Sequence, residues 1–192
     1  MQDVMIDLET LGNRPGCAIL SLGAVGFDPK QGEISDGVPF YAVINTDSCV
    51  CAGLGFDRET LDWWGRQAVE ARTVLEAARS LNSFQLATVL ERFELFLNEF
   101  GGKKSVRIWG NGADFDNPIL AAAYRAIGKE VPWSFWNSRC YRTLKILYPD
   151  VPLKRTGTHH NALDDAKTQA MHALEIFAQR QGMRPAPPSV FV

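Results

Sequence analysis

The sequence predicts an α/β fold, and two patterns carry the prediction. Short apolar runs punctuated by turn residues dominate roughly the first quarter of the chain, as strands do. Helical periodicity then takes over, interrupted by a brief apolar run at 106–109 that reads as a further strand. At 192 residues, with 46% hydrophobic and 22% charged residues, the chain suits one domain with a full-sized core.

The first strand is centred on residues 4–6 and runs into Asp7-Leu8-Glu9-Thr10. Asn13-Arg14-Pro15-Gly16 is a turn, and residues 17–27 (CAILSLGAVGF) read as a second buried strand. Asp28-Pro29-Lys30-Gln31-Gly32 turns the chain into a third strand at about 38–44. Asp57 is placed to cap a helix that begins at Arg58 and carries Trp63 and Trp64. Further helices are expected at 68–79 and 83–100. The second has apolar residues at 86, 89, 90, 93, 96, 97 and 100, a helical period. Helices are also expected at about 115–127, 139–147 and 161–181, with a strand or loop around 133–136. Residues 1–182 are expected to form the domain, and 183–192, with three prolines, a loose tail.

No apolar run approaches the ~20 residues needed to span a bilayer. The chain does not open with a basic region followed by an apolar core. Cys17, Cys49, Cys51 and Cys140 lack zinc-type spacing, so reduced thiols in a cytoplasmic protein are expected. A formal charge of -2 gives no global attraction for nucleic acid. Phosphate binding would have to be local, through metal ions or a basic patch.

Four stretches carry candidate chemistry. On a strand, Asp7 and Glu9 project to one face and Leu8 to the other. Two like charges on a half-buried face repel and resist desolvation unless a cation lies between them, and oxygen ligands suit Mg²⁺ and Mn²⁺. The alternative is that the strand ends at Ile6 and the acids lie on a solvated turn. The second stretch, residues 109–118 (WGNGADFDNP), places a glycine-bearing turn between a strand and a helix start. Strand C-termini in α/β sheets collect functional sites. Asp116 there reads either as a ligand or as a helix cap.

The third stretch is His159-His160-Asn161-Ala162-Leu163-Asp164-Asp165-Ala166. At ~100° per residue, His160 and Asp165 would lie ~140° apart on one helix. They meet at one site only if His160 sits in the loop before the helix. Asp165 lies nearer than Asp164 to the small-residue side formed by Ala162, Ala166 and Ala173, where a helix can approach a sheet closely. The fourth stretch holds Arg139, Arg142, Lys145, Lys154 and Arg155 against a single acid, Asp150. It reads as a solvated face or as a surface for a phosphate backbone.

Asp7-Leu8-Glu9-Thr10, the stretch from Asn111 to Asp116 with its Phe115-Asp116 pair, and His160-x-x-x-x-Asp165-Ala166 resemble, in order and spacing, the three motifs of the DEDDh 3′–5′ exonucleases. The Trp63-Trp64 pair and Trp109-Gly110-Asn111-Gly112 most resemble the mycobacterial-type exoribonuclease group, which is related to phage exonucleases of the exodeoxyribonuclease VIII kind. The Trp pair also reads simply as aromatic packing in the core. The resemblance implies a ribonuclease H-like fold: a mixed five-stranded sheet, its first three strands antiparallel, with helices on both faces. It implies that Asp7, Glu9, Asp116 and Asp165 bind two divalent metals, Mg²⁺ or Mn²⁺, and that His160 is the general base. Thr10 and Leu11 would lie beneath the terminal nucleotide, although Leu11 also reads as core. Arg142 and Arg155 would meet the phosphate backbone. Asp114, Asp164 and His159 have no counterpart in the motifs. The expected substrates are single-stranded RNA or DNA 3′ ends, with nucleoside 5′-monophosphates as products. A homodimer is compatible with the sequence, and no membrane partner is expected. Two rival readings remain: a domain of this fold that only binds nucleic acid or a partner, and a hydrolase of small phosphodiesters.

Overall fold

The computed structural model describes residues 1–182, so the expected tail at 183–192 lies outside the described residues. Its sheet is built around β1 (Asp3–Thr10). On one side β2 (Ile19–Asp28) pairs with β1 antiparallel; on the other, β5 (Arg107–Gly110) pairs with it parallel. β6 (Ser138–Cys140) continues the sheet in parallel beyond β5.

The fold class is the expected one, but the sheet has six strands rather than five. β3 (Glu33–Ile34) and β4 (Phe40–Val43) both pair with β2, against its end and its middle respectively. The third strand is thus present but broken. Between its halves Ser35 Oγ accepts from the Gly37 amide, a local turn, and Pro39 has no amide to give a ladder.

Helices α1 (Thr46–Cys51), α2 (Arg58–Gly65), α3 (Val69–Arg79) and α4 (Leu86–Asn98) follow the early strands. After them come α5 (Gly102–Ser105), α6 (Asp116–Ala126), α7 (Tyr141–Leu147) and α8 (Ala162–Gly182). Neither α1 nor α5 was expected. α1 is a short helix nucleated by Asn45, whose side chain accepts from the Ser48 amide. Asp57 stands at the N-terminus of α2 as expected, but its carboxylate takes Arg14 at 2.9 Å instead of capping its own helix. The region around 133–136 contains a 3₁₀ turn, Phe135–Asn137, leading into β6, which places Arg139 on a strand.

Strand alternation divides the interior into two cores. Val4, Ile6 and Leu8 face the larger one, with α4 residues such as Val89, Leu90 and Phe93. Met5 faces the smaller one, with Val25, Trp109 and the Ala166, Ala170 and Ala173 stripe of α8. Asp7 and Glu9 follow Met5 in the alternation, so they project beneath the start of α8. Gly23 lies opposite Asp7 on β2, and a Cβ there would stand 2.2 Å from the Ala162 carbonyl carbon. The missing side chain lets α8 touch the sheet, bringing Asp165 down to β1.

Candidate active site

Three separate segments deliver the acids. Asp7 and Glu9 come from the end of β1, where the register with β2 shifts between Glu9 and Thr10. Such an irregularity bends a strand end and re-aims its side chains. Asp116 opens α6, after the turn that follows β5. Asp165 lies in the first turn of α8.

Asn161 sets where α8 begins: its side chain accepts from the Leu163 and Asp164 amides at 3.1 and 3.2 Å. His160 therefore precedes the helix, as a shared site with Asp165 requires. Its φ of 62° is left-handed, rare for a residue with a side chain, and the turn is held by its amide donating to Asp165 Oδ2 at 3.0 Å.

One carboxylate oxygen each from Asp7, Glu9 and Asp165 lies within 4.8 Å of the other two. Asp116 is 1% exposed and stands just outside this triad. It is not a plain cap. Its Oδ1 accepts from the Leu8 amide at 3.1 Å and its Oδ2 from the Asn111 amide at 2.6 Å, tying β1 to the turn after β5. Asp165 Oδ1 accepts from Arg155 at 2.6 Å and Asp7 Oδ1 from Gln169 at 2.7 Å.

The electrostatics are those of an undercompensated cluster. Burial, then Asp116, Glu9 and Asp165, push Asp7 well above the usual carboxylate range. Burial, then Asp165 and Asp116, raise Glu9 to about 8. Burial raises Asp116 to about 6 against the lowering effect of its two amide bonds. Burial also lowers His160, helped by His159 and opposed by Asp165. The cleft over these groups has a volume of about 490 Å³ and is lined by Thr10, Asn111, Trp63, Arg155, His159 and His160 among others.

The donor set fits divalent cations. All four acids offer hard oxygen, and cations between them would remove the repulsion that burial amplifies. Asn111 Oδ1 and Gln169 Oε1 line the same cleft, are buried, and lack a hydrogen-bond partner. Such groups call for a ligand or water.

The other expected contacts divide. Thr10 lines the cleft. Leu11, read either as lying beneath the terminal nucleotide or as core, is 7% exposed and belongs to the larger core. The basic run does not form one face. Arg155 lines the cleft, Arg142 lies in an adjoining depression, and Lys154 pairs with Glu175 on α8.

The tryptophan pair splits as well. Trp64 is core, its indole donating to the Thr10 carbonyl at 2.9 Å. Trp63 is 37% exposed and lines the cleft beside His160. Sequence reasoning missed Gln169, although it stands four residues after Asp165 and hence on the same helix face. His159, left without a role, stacks on His160 with ring centroids 3.8 Å apart.

Solved structures of nucleases share this fold. The nuclease domain of 3′hExo, a DEDDh family member bound to rAMP, superposes with a TM-score of 0.62 at 16% identity, covering 96% of both chains. Exonuclease X, in complex with 5′-overhanging duplex DNA, gives 0.57 at 16% identity over 94% of each. At these identities the likeness establishes the fold that the chain shares with these nucleases.

In sequence, an exodeoxyribonuclease of Enterobacteria phage T4 is 27% identical, over 74% of this chain and 70% of its own. The model of the Rv2179c-like 3′–5′ exoribonuclease domain matches residues 2–177, and the chain belongs to that family. It is a metal-dependent 3′–5′ exonuclease, a phosphodiester hydrolase.

Proposed function

We propose that the chain removes nucleoside 5′-monophosphates from the 3′ ends of single-stranded RNA or DNA by a two-metal mechanism with His160 as general base. The observation that carries this reading is the approach of Asp7, Glu9 and Asp165 to within 4.8 Å at the floor of a cleft that His160 also lines. Asp7, Glu9, Asp116 and Asp165 would hold two divalent cations, Mg²⁺ or Mn²⁺. Bound there, the cations would make water acidic enough to attack near neutral pH and would offset charge on the departing 3′-oxygen.

The protein's own groups have distinct tasks. His160 takes the proton of the attacking water; as burial lowers its pKa, it is already neutral near pH 7. Its ring contacts both Trp63, edge-on at 5.0 Å, and His159, stacked at 3.8 Å between centroids. Gln169 fixes Asp7, and the Leu8 and Asn111 amides fix Asp116, so these carboxylates are oriented before substrate arrives. Arg155 ion-pairs with Asp165 yet is half-exposed on the cleft, where it can turn to a substrate phosphate.

The test is a degradation ladder on matched RNA and DNA strands, linear and circular, with and without chelator. A linear strand should shorten stepwise from its 3′ end while the circle survives, and the matched pair reads the sugar preference. Rapid cutting of the circle, or undiminished turnover in chelator by a metal-free sample, would overturn the proposal.

A further inference from the structure

The catalytic cleft opens in two directions of opposite electrostatic character. Past His160 it adjoins a depression lined by Tyr41, Val43, Val74 and Asn161, where Glu70 is the sole Asp, Glu, Lys or Arg. Past Asn13 and Phe115 it adjoins another, containing Arg142 and Ile146. That one shares Gly112, Ala113 and Cys140 with a third depression, of about 450 Å³, containing Arg125, Arg139 and Phe135. Along the second route the two adjoining depressions hold three arginines against one acid, Asp114.

The Arg142 charge is felt by the buried Asp116, but these arginines are not locked to carboxylates. Among the ion pairs of the described residues, none includes Arg125, Arg139 or Arg142. Arg139 donates to the Trp136 and Ser138 carbonyls, which leaves its charge uncompensated.

At the far end stand two aromatic side chains that the core does not use. Phe135 is 81% exposed and Trp136 is 66% exposed, their rings edge-on at 4.5 Å. The 3₁₀ turn that carries them is firmly anchored. Ser134 donates to the Lys103 carbonyl, Asn137 to that of Lys104, and the Trp133 indole to Ser138. Large exposed aromatics on a rigid turn mark an interaction surface. A basic groove that ends on aromatic faces is what a single strand requires: charge for its phosphates and planes for its bases.

We propose that this route carries the substrate strand upstream of its 3′ end, and that Phe135 and Trp136 form a stacking platform for bases several nucleotides from the bond being cut. The inference rests on the exonuclease reading and extends it to a second contact region. β6 sets the spacing. Cys140 pairs with Gly110 at the active-site end of the sheet, and Trp136 lies four residues earlier. At ~3.3 Å per extended residue in β6 and ~2.0 Å per residue in the 3₁₀ turn, the platform stands on the order of 10 Å back along the strand direction, out of reach of the last nucleotide or two. The opposite exit, with Glu70 as its only charged neighbour of this kind, would repel the phosphates this one attracts.

The experiment compares the wild type with the doubly substituted Phe135→Ala, Trp136→Ala chain on two single-stranded substrates, a dinucleotide and a strand of about ten nucleotides. For the longer strand, KM should rise roughly tenfold with kcat unchanged. For the dinucleotide neither constant should move. Both side chains are exposed, so the melting temperature should hold, and a second readout is independent of turnover: the longer strand should quench Trp fluorescence in wild type and less so in Trp136→Ala. Equal effects on both substrates, or none on either, would overturn the platform. So would a change in sedimentation with unaltered length dependence, which would make the patch an interface between two copies of the chain. Absence of wild-type cleavage would overturn the exonuclease reading instead, while quenching by the longer strand would still decide the route.

Discussion

The Trp63 indole stands edge-on to the His160 imidazole, with centroids 5.0 Å apart and planes at 88°. The two residues belong to α2 and to the turn before α8, segments almost a hundred positions apart. Their contact fixes the ring that the proposed mechanism uses as its base. Trp64, next in the chain, locks the same helix to β1 through the Thr10 carbonyl. The base and the acids are therefore held by one continuous piece of structure.

His160→Ala is expected to reduce turnover by ~10²–10⁴-fold while metal-induced stabilisation stays near wild type. His159→Ala should cost far less, because it supports the ring rather than taking the proton. Steady-state rates and melting curves with added Mg²⁺ check both. A dead His159→Ala enzyme beside a live His160→Ala enzyme would reverse the assignment.

The pH–rate profile should rise through a midpoint below ~6.5, the ordinary imidazole value. Burial lowers His160, and bound cations would lower it further. Only the neutral ring accepts a proton, so the acid limb moves down with the pKa. A midpoint above neutrality would contradict this role.

Metal-free protein should lose stability as pH rises from about 4.5 to about 8. Glu9 has an ordinary value of 4.5 and is raised to about 8 in the fold, so the native state holds this proton more tightly than the unfolded chain. Its contribution is full below about 4.5 and is lost through the folded value; Asp116, raised to about 6, acts in the same direction over a lower window. Mg²⁺ should flatten the slope and raise the melting temperature at pH 8. A melting temperature that climbs over this window without metal would refute the charge-cluster account. Asp7→Ala and Asp116→Ala should each abolish cleavage, and Asp7→Ala should also weaken the stabilisation by metal.

Gly23→Ala should impair catalysis disproportionately. The added methyl meets the Ala162 carbonyl carbon at 2.2 Å, a backbone atom that moves only if the start of α8 moves. Overpacking of this kind costs typically ~1–3 kcal/mol. Asp165 would be displaced with the helix, so metal titration should show weakened binding even where circular dichroism reports a folded chain.

Trp64→Phe should destabilise by ~1–3 kcal/mol or more, because it leaves the buried Thr10 carbonyl without its donor and opens a cavity where the larger indole stood. Urea denaturation measures it. Trp63→Phe, on the exposed side of the same helix, should leave stability unchanged and lower kcat, since the ring beside His160 changes size. Loss of stability in both variants alike would deny the division between the two tryptophans.

By itself the sequence determined the α/β class and most element positions, and it singled out the acids and His160 as candidates, because those depend on local signals. Alternation puts Asp7 and Glu9 on one face, and helical geometry forces His160 out of α8 if it is to meet Asp165. The small-residue stripe pointed to Asp165 over Asp164 for a reason the packing bears out: Gly23 and Ala162 let that helix end touch the sheet. The tertiary structure alone decided matters of long-range contact. It separated Trp63 from Trp64, sent Leu11 to the core, and paired Arg155 with Asp165 and Lys154 with Glu175. It also split the outer strand in two and set two arginine-bearing depressions beside the cleft. Periodicity assigns a residue to a face of its own element; which partner that face meets depends on how distant elements pack, and that is decided only when the chain is folded.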